Sequence, residues 1–122
     1  MKIAIPVNEK NMQTDICESF GRAPYYLIYD TEKDEATFID NSAATSTGGA
    51  GIKAAQVIVD SGAKILLTPR CGEKAANVLM AADIKLFKSI PATAQANIDA
   101  YLTNKLDPLD EIHAGFHGHG GN

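Results

Sequence analysis

Ile52-Lys-Ala-Ala-Gln-Val-Ile-Val-Asp-Ser-Gly62-Ala-Lys-Ile-Leu-Leu-Thr68 is the stretch that decides the fold. Ile52, Ala55, Ile58 and Val59 recur at helical spacing, and Gly62 supplies a residue able to take the left-handed conformation that ends a helix. Ile65, Leu66 and Leu67 then follow one another without a polar break, the pattern of a parallel strand covered on both faces. A helix feeding a buried strand is a crossover unit, and the unit repeats. Residues 72–82 carry Ala75, Ala76, Leu79 and Met80 on one face, and 84–87 form another short strand. Pro91 and Thr93 open a last helix striped by Ala94, Ile98, Tyr101 and Leu102, with Thr93 as its cap.

Upstream, residues 2–7 alternate and are rich in Ile and Val, a strand ended by Asn8. Residues 25–30 and 36–40 are β-prone runs joined by Thr31-Glu32-Lys33-Asp34, which predicts a hairpin. Residues 8–24 hold no sustained period and form a long loop of the kind that carries function. The order predicts an α/β sheet with a parallel part, an antiparallel edge and helices on both faces. If the first strand lies parallel to 64–68, their carboxyl ends emerge together, where open α/β sheets bind ligands.

The chain has 122 residues, 45% of them hydrophobic, enough for one cored domain, expected over 1–106 with a flexible His/Gly-rich tail over 107–122. A formal charge of −4 argues against nucleic-acid or anionic-membrane partners, which need a basic surface. The N-terminal apolar run is too short for a secretory signal, so a cytoplasmic protein with reduced thiols is expected.

The only two cysteines fall in loops that follow predicted strands: Cys17 five residues before Arg22, and Cys71 beside Arg70. Cys71 stands at the start of a predicted helix, where partial positive charge lowers a thiol pKa; the alternative is a small packed hydrophobe at a strand end. Cys17 lies between Asp15 and Glu18, acids that raise a thiol pKa unless a metal or arginine offsets them. The pair has no Cys-x-x-Cys spacing and does not read as a structural zinc site.

Ser46-Thr47-Gly48-Gly49-Ala50-Gly51 opens a helix with exposed N–H groups, the physics of an anion nest, but it carries neither a Walker lysine nor Gly-x-Gly-x-x-Gly spacing. Arg22 can clamp an anion or pack on Phe20 or Tyr25. His113, His117 and His119, the only histidines, sit in the tail at spacings that collect soft metals. No histidine lies in the predicted domain to serve a triad, and pairs such as Asp30 with Asp34 or Asp107 with Asp110 read as solvated charge, so no acid-base machinery is visible.

Met1-Lys-Ile-Ala-Ile-Pro-Val7, Ser19-Phe-Gly-Arg-Ala-Pro-Tyr-Tyr26, Gly48-Gly-Ala-Gly-Ile-Lys-Ala-Ala55 and Gly72-Glu-Lys-Ala75 resemble, in order, the nitrogenase iron-molybdenum cofactor biosynthesis family. The resemblance covers about residues 1–106 and is that of a small stand-alone member. It implies a ribonuclease-H-like fold, a mixed five-stranded sheet flanked by helices. It also implies binding of an anionic metal-sulfur cluster, iron-molybdenum-cofactor-like, Fe-S or Mo/Cu-S, near Arg22, the loop of Thr47, Gly48, Gly49 and Gly51, and Cys71. Many relatives carry histidine before Phe-Gly-Arg where this chain has Ser19; Cys17, two residues ahead, is the substitute. First-strand carboxylates of a nuclease are absent.

Two functions are therefore expected in parallel. One is a non-enzymatic carrier or scaffold, monomer or homodimer, with Cys71 and Cys17 as soft ligands, Arg22 and Arg70 neutralising the cargo, and cluster donor and acceptor proteins as partners. The alternative is a metal-free regulatory or interaction domain that binds a small anion or a partner protein.

Overall fold

The structure is a computed structural model that describes residues 1–41, 48–110 and 112–113. Its elements are β1 (Lys2–Val7), a 3-10 turn (Phe20–Arg22), β2 (Tyr25–Asp30), β3 (Glu35–Asp40), α1 (Ala50–Ser61), β4 (Ile65–Thr68), β5 (Cys71–Gly72), α2 (Glu73–Ala81), β6 (Lys85–Lys88), α3 (Ala94–Leu102) and β7 (Ile112–His113).

Five strands form one mixed sheet in the order β3-β2-β1-β4-β6. The hairpin supplies its antiparallel side, with Lys2 opposite Asp30 and Tyr25 opposite Asp40. On the other side β1, β4 and β6 run parallel, Ile3 beside Ile65 and Ile65 beside Lys85. The expected parallel neighbour of β1 is thus the buried strand after α1, and their carboxyl ends share one edge. The chain is an α/β protein with the expected mixed sheet.

Alternation along the central strands divides the core in two. Ile3, Ile5 and Val7 of β1, Leu27 of β2, and Ile65 and Leu67 of β4 face α3, where Ala94 and Ile98 complete the layer. Ala4, Tyr26, Ile28 and Leu66 face the other way, onto Ala54, Ala55 and Ile58 of α1 and Ala75, Ala76 and Leu79 of α2. Helices thus cover both faces. Gly62 at φ 84° ends α1, its N–H donating to Val59 O. Thr93 caps α3 by accepting from the Ala96 N–H at 3.1 Å.

Strand pairing continues past Leu106, into the segment expected to be a flexible tail. The Lys88 N–H donates to Asp107 O at 2.8 Å and the Leu109 N–H to Leu86 O at 3.0 Å, so this segment lines the outer edge of β6. Leu109 is buried with the α1/α2 core, and β7 then pairs with β5 in parallel, Ile112 beside Cys71 and His113 beside Gly72. Residues 114–122 lie outside the described residues.

Candidate functional site

Three separated motifs meet at the carboxyl edge of the parallel strands, on the α1/α2 side. The 3-10 turn Phe20–Arg22 packs on α1 and on β5, and β5 leads directly into α2. A Cβ built on Gly21 would lie 3.0 Å from Gly51 Cα and 3.1 Å from Gly51 N, so only glycine lets this turn seat on the first turn of the helix. Gly49 takes φ 68° just before α1, a conformation that glycine adopts without strain.

Two side chains that the sequence did not single out hold the turn in place. Tyr26, fully buried in β2, donates its hydroxyl to Phe20 O, and its ring stacks at a tilt on Phe20 with 5.4 Å between centroids. Asn41, buried just beyond β3, donates from Nδ2 to Ala23 O at 2.8 Å, Gly21 O at 3.2 Å and Tyr26 Oη at 3.1 Å. The signal for Tyr26 is its place in an alternating strand directly after the Phe-Gly-Arg motif; for Asn41 the sequence offers none, because its partners are reached only through the tertiary fold.

Arg22 and Arg70 are both exposed at this edge, Arg22 at the end of the turn and Arg70 in the loop between β4 and β5. That loop is pinned by the Thr68 hydroxyl, which donates to Arg70 O at 3.0 Å. Gly48, Gly49 and Gly51 stand at the start of α1, which has no side-chain cap. Thr47, His117 and His119 lie outside the described residues, and His113 is placed by its backbone pairing with Gly72.

Of the two readings open for Cys71, the structure bears out the packed hydrophobe at a strand end. Cys71 lies in β5, one residue before the helix cap Gly72, and is fully buried in the α1/α2 core that also holds Phe20, Tyr26 and Ala75. Burial pushes its thiol up to about 11, which keeps it a neutral core thiol. Desolvation outweighs the helix terminus here because a thiolate in this position would be stripped of its hydration. Cys17 is half-buried at the margin of the same core and points its Sγ to Ser19 O at 3.6 Å. Both thiols lie within electrostatic range of the Tyr26 hydroxyl, whose pKa is raised chiefly by burial and further by each of them. Thus they flank one side chain under the turn. Among the described residues no group of three or more His, Cys, Asp or Glu stands ready for a metal ion.

The same sheet edge holds a second feature on its α3 side, a cleft of about 640 Å³ lined by residues of the β1, β4 and β6 exit loops, including Ser89 and Pro91. The candidate arginines, glycines and cysteines do not line it.

The family model described as dinitrogenase iron-molybdenum cofactor matches residues 1–104. A search of the curated proteins finds no match. Among solved structures, the apo form of the orange protein from Desulfovibrio gigas is similar at 31% identity, covering 90% of this chain and 93% of that one, with a TM-score of 0.85. A NifB-like protein from Thermotoga, placed in the DUF35 family, is similar at 32% identity over 88% of this chain and 92% of that one, TM-score 0.79. A dinitrogenase-like protein from Methanocaldococcus jannaschii shares the fold at 17% identity, covering 91% of this chain and 96% of that one, with a TM-score of 0.68. No described helix is long and apolar enough to cross a membrane. Matched over nearly all of its folded length, this chain belongs to the dinitrogenase iron-molybdenum cofactor family.

Proposed function

We propose that the protein binds and carries an anionic metal-sulfur cluster as cargo, without catalysing a reaction on it. The observation that supports this most is the convergence of the Phe20–Arg22 turn, the Gly48 to Gly51 start of α1 and the Arg70 loop on one edge. Two exposed guanidinium groups and the first N–H groups of a helix are hydrogen-bond donors suited to a sulfide-rich anion. The apo label of the orange protein points to a ligand in that relative, and the family's own description names a metal cofactor.

In this reading charge and hydrogen bonds do most of the holding. Cys17 is the accessible soft ligand; Cys71 contributes only if its loop opens, because its thiol is buried and protonated. His113, whose backbone pairs with Gly72, and His117 and His119 beyond it in the sequence are additional ligands in this reading. The cargo is iron-molybdenum-cofactor-like, Fe-S or Mo/Cu-S, exchanged with donor and acceptor proteins in the cytoplasm by a monomer or homodimer. The strand order, with an antiparallel second strand beside a parallel set, fits the ribonuclease-H-like label.

The test is anaerobic reconstitution of the full chain with iron, molybdate or copper plus sulfide, followed by desalting, metal analysis and visible charge-transfer absorption. Retained metal and colour support the reading. A colourless, metal-free protein that is instead stabilised by phosphorylated metabolites in a thermal-shift assay replaces it with metal-free anion binding.

A further inference from the structure

We propose that the cleft at the mouth of β1, β4 and β6 binds an organic cation, an ammonium or guanidinium group on an aliphatic stem. This site is separate from the cluster rim and does not depend on it.

The cleft is built rather than incidental. Asn97, fully buried in α3, shapes its 90–93 wall: Oδ1 accepts from the Ile90 N–H at 2.8 Å, and Nδ2 donates to Thr93 O at 2.9 Å and Ile90 O at 3.1 Å. The Asp15 segment, which also lines the cleft, is fixed by bridges from Ile16 to Val7 and from Asp15 to Thr93. Ser89 lines the cleft while only 9% exposed, and its hydroxyl makes no hydrogen bond among the described residues. No wholly sealed side-chain polar atom there lacks a partner, so the remaining exposure of Ser89 includes its hydroxyl, which opens to the cleft. A hydroxyl with no protein partner that opens to a cleft is available to hydrogen-bond an occupant.

The charge of that occupant follows from the lining. Among the described residues, Asp15 and Glu18, both exposed, are the ionisable residues that line the cleft, and no Lys, Arg or His does. The start of α3 offers an anion nothing, because its N–H groups are already taken: Ala94 donates to Thr14 O, Gln95 to Met12 O and Ala96 to the Thr93 hydroxyl. Ile16, Ile90 and Pro91 supply apolar wall for a stem. Two carboxylates, a hydroxyl acceptor and an apolar wall match an alkylammonium or alkylguanidinium, from either a free amine or the lysine or arginine side chain of a partner protein.

The experiment is an amide NMR titration of the full chain with n-butylammonium chloride and with the peptide acetyl-Gly-Lys-Gly-amide, against sodium chloride of equal ionic strength and neutral 1-pentanol. Saturable shifts at Ser89, Ile90 and Ala92 from either cation, absent with pentanol, are the expected result. Tighter binding of the peptide assigns the site to a partner's side chain, tighter binding of butylammonium to a free amine. Asp15→Asn with Glu18→Gln lowers affinity by about tenfold. Ser89→Ala, which alters no charge, lowers it a few-fold and serves if the double variant folds poorly. Equal shifts from pentanol, no saturable shift from either cation, or unchanged affinity in the variants overturns the proposal.

Discussion

Gly21 and Gly51 meet backbone to backbone: a Cβ on Gly21 would come within 3.0 Å of Gly51 Cα, whereas one on Gly51 would meet only Ala75 Cβ, at an ordinary 3.5 Å. This asymmetry gives two glycines of the same contact opposite fates on substitution. Gly21→Ala has to push the turn off α1 and is expected to cost about 1–3 kcal/mol, as overpacking does. Gly51→Ala is expected to be neutral or to stabilise by a few tenths of a kcal/mol, since alanine favours helix. Urea unfolding of the two variants checks both signs.

The clamp beneath the turn is polar and buried, so half-removal is the costly change. Asn41→Ala leaves the carbonyls of Gly21 and Ala23 without the amide that serves them, and is expected to destabilise by about 1–3 kcal/mol. Tyr26→Phe removes one hydroxyl donor to Phe20 O and is expected to cost about 1–2 kcal/mol. Chemical denaturation measures the cost, and amide exchange at Gly21 and Arg22 is expected to quicken in both.

The two thiols separate by reactivity. At pH 8 iodoacetamide is expected to modify Cys17 in the folded protein and Cys71 only after unfolding, because burial holds Cys71 protonated and covered. The folded pKa of Cys71, about 11, lies above its ordinary value of 9.0, so the unfolded chain releases this proton first. Its stabilising contribution is therefore complete below pH 9 and is lost as pH rises toward 11. A Cys71→Ala variant, compared with wild type across pH 8 to 11, is expected to show a flatter decline of stability.

Truncation after Asp110 removes β7, the strand paired to Cys71 and Gly72. With about 1 kcal/mol lost per hydrogen bond, opening of the Cys71 loop is expected to become about tenfold more frequent. Mass-spectrometric alkylation rates at Cys71 measure it, with Cys17 as the internal control.

Much of this fold was legible because its long elements carry strong periods. Ile52 to Thr68 announced a helix and a buried strand, and β1 and β2 appear at the residues their alternation marked. β5 and β7 were not legible: two-residue strands are set by tertiary pairing, not by propensity. The shared edge of the Cys17 and Cys71 loops followed from the parallel topology, whereas the place of Gly-Gly-Ala-Gly beside them was expected only from the family resemblance. The state of Cys71 stayed open between two readings, because a helix terminus is visible in sequence while the burial that desolvates the thiol is not. Asn97 had a readable sign, a polar residue between Ala94 and Ile98 on the buried stripe of α3.

The central claim is that the rim of Arg22, the α1 start and Arg70 holds an anionic metal-sulfur cargo. Its most direct measurement is an anaerobic amide NMR titration of the full chain with the reconstituted metal-sulfide anion, alongside an Arg22→Ala, Arg70→Ala double variant. The account predicts saturable shifts at Gly21, Gly49, Gly51 and Gly72, little change at Ser89 and Ala92, and affinity lowered at least about tenfold in the variant. Shifts confined to the Ser89 cleft, or equal affinity in the double variant, would contradict it.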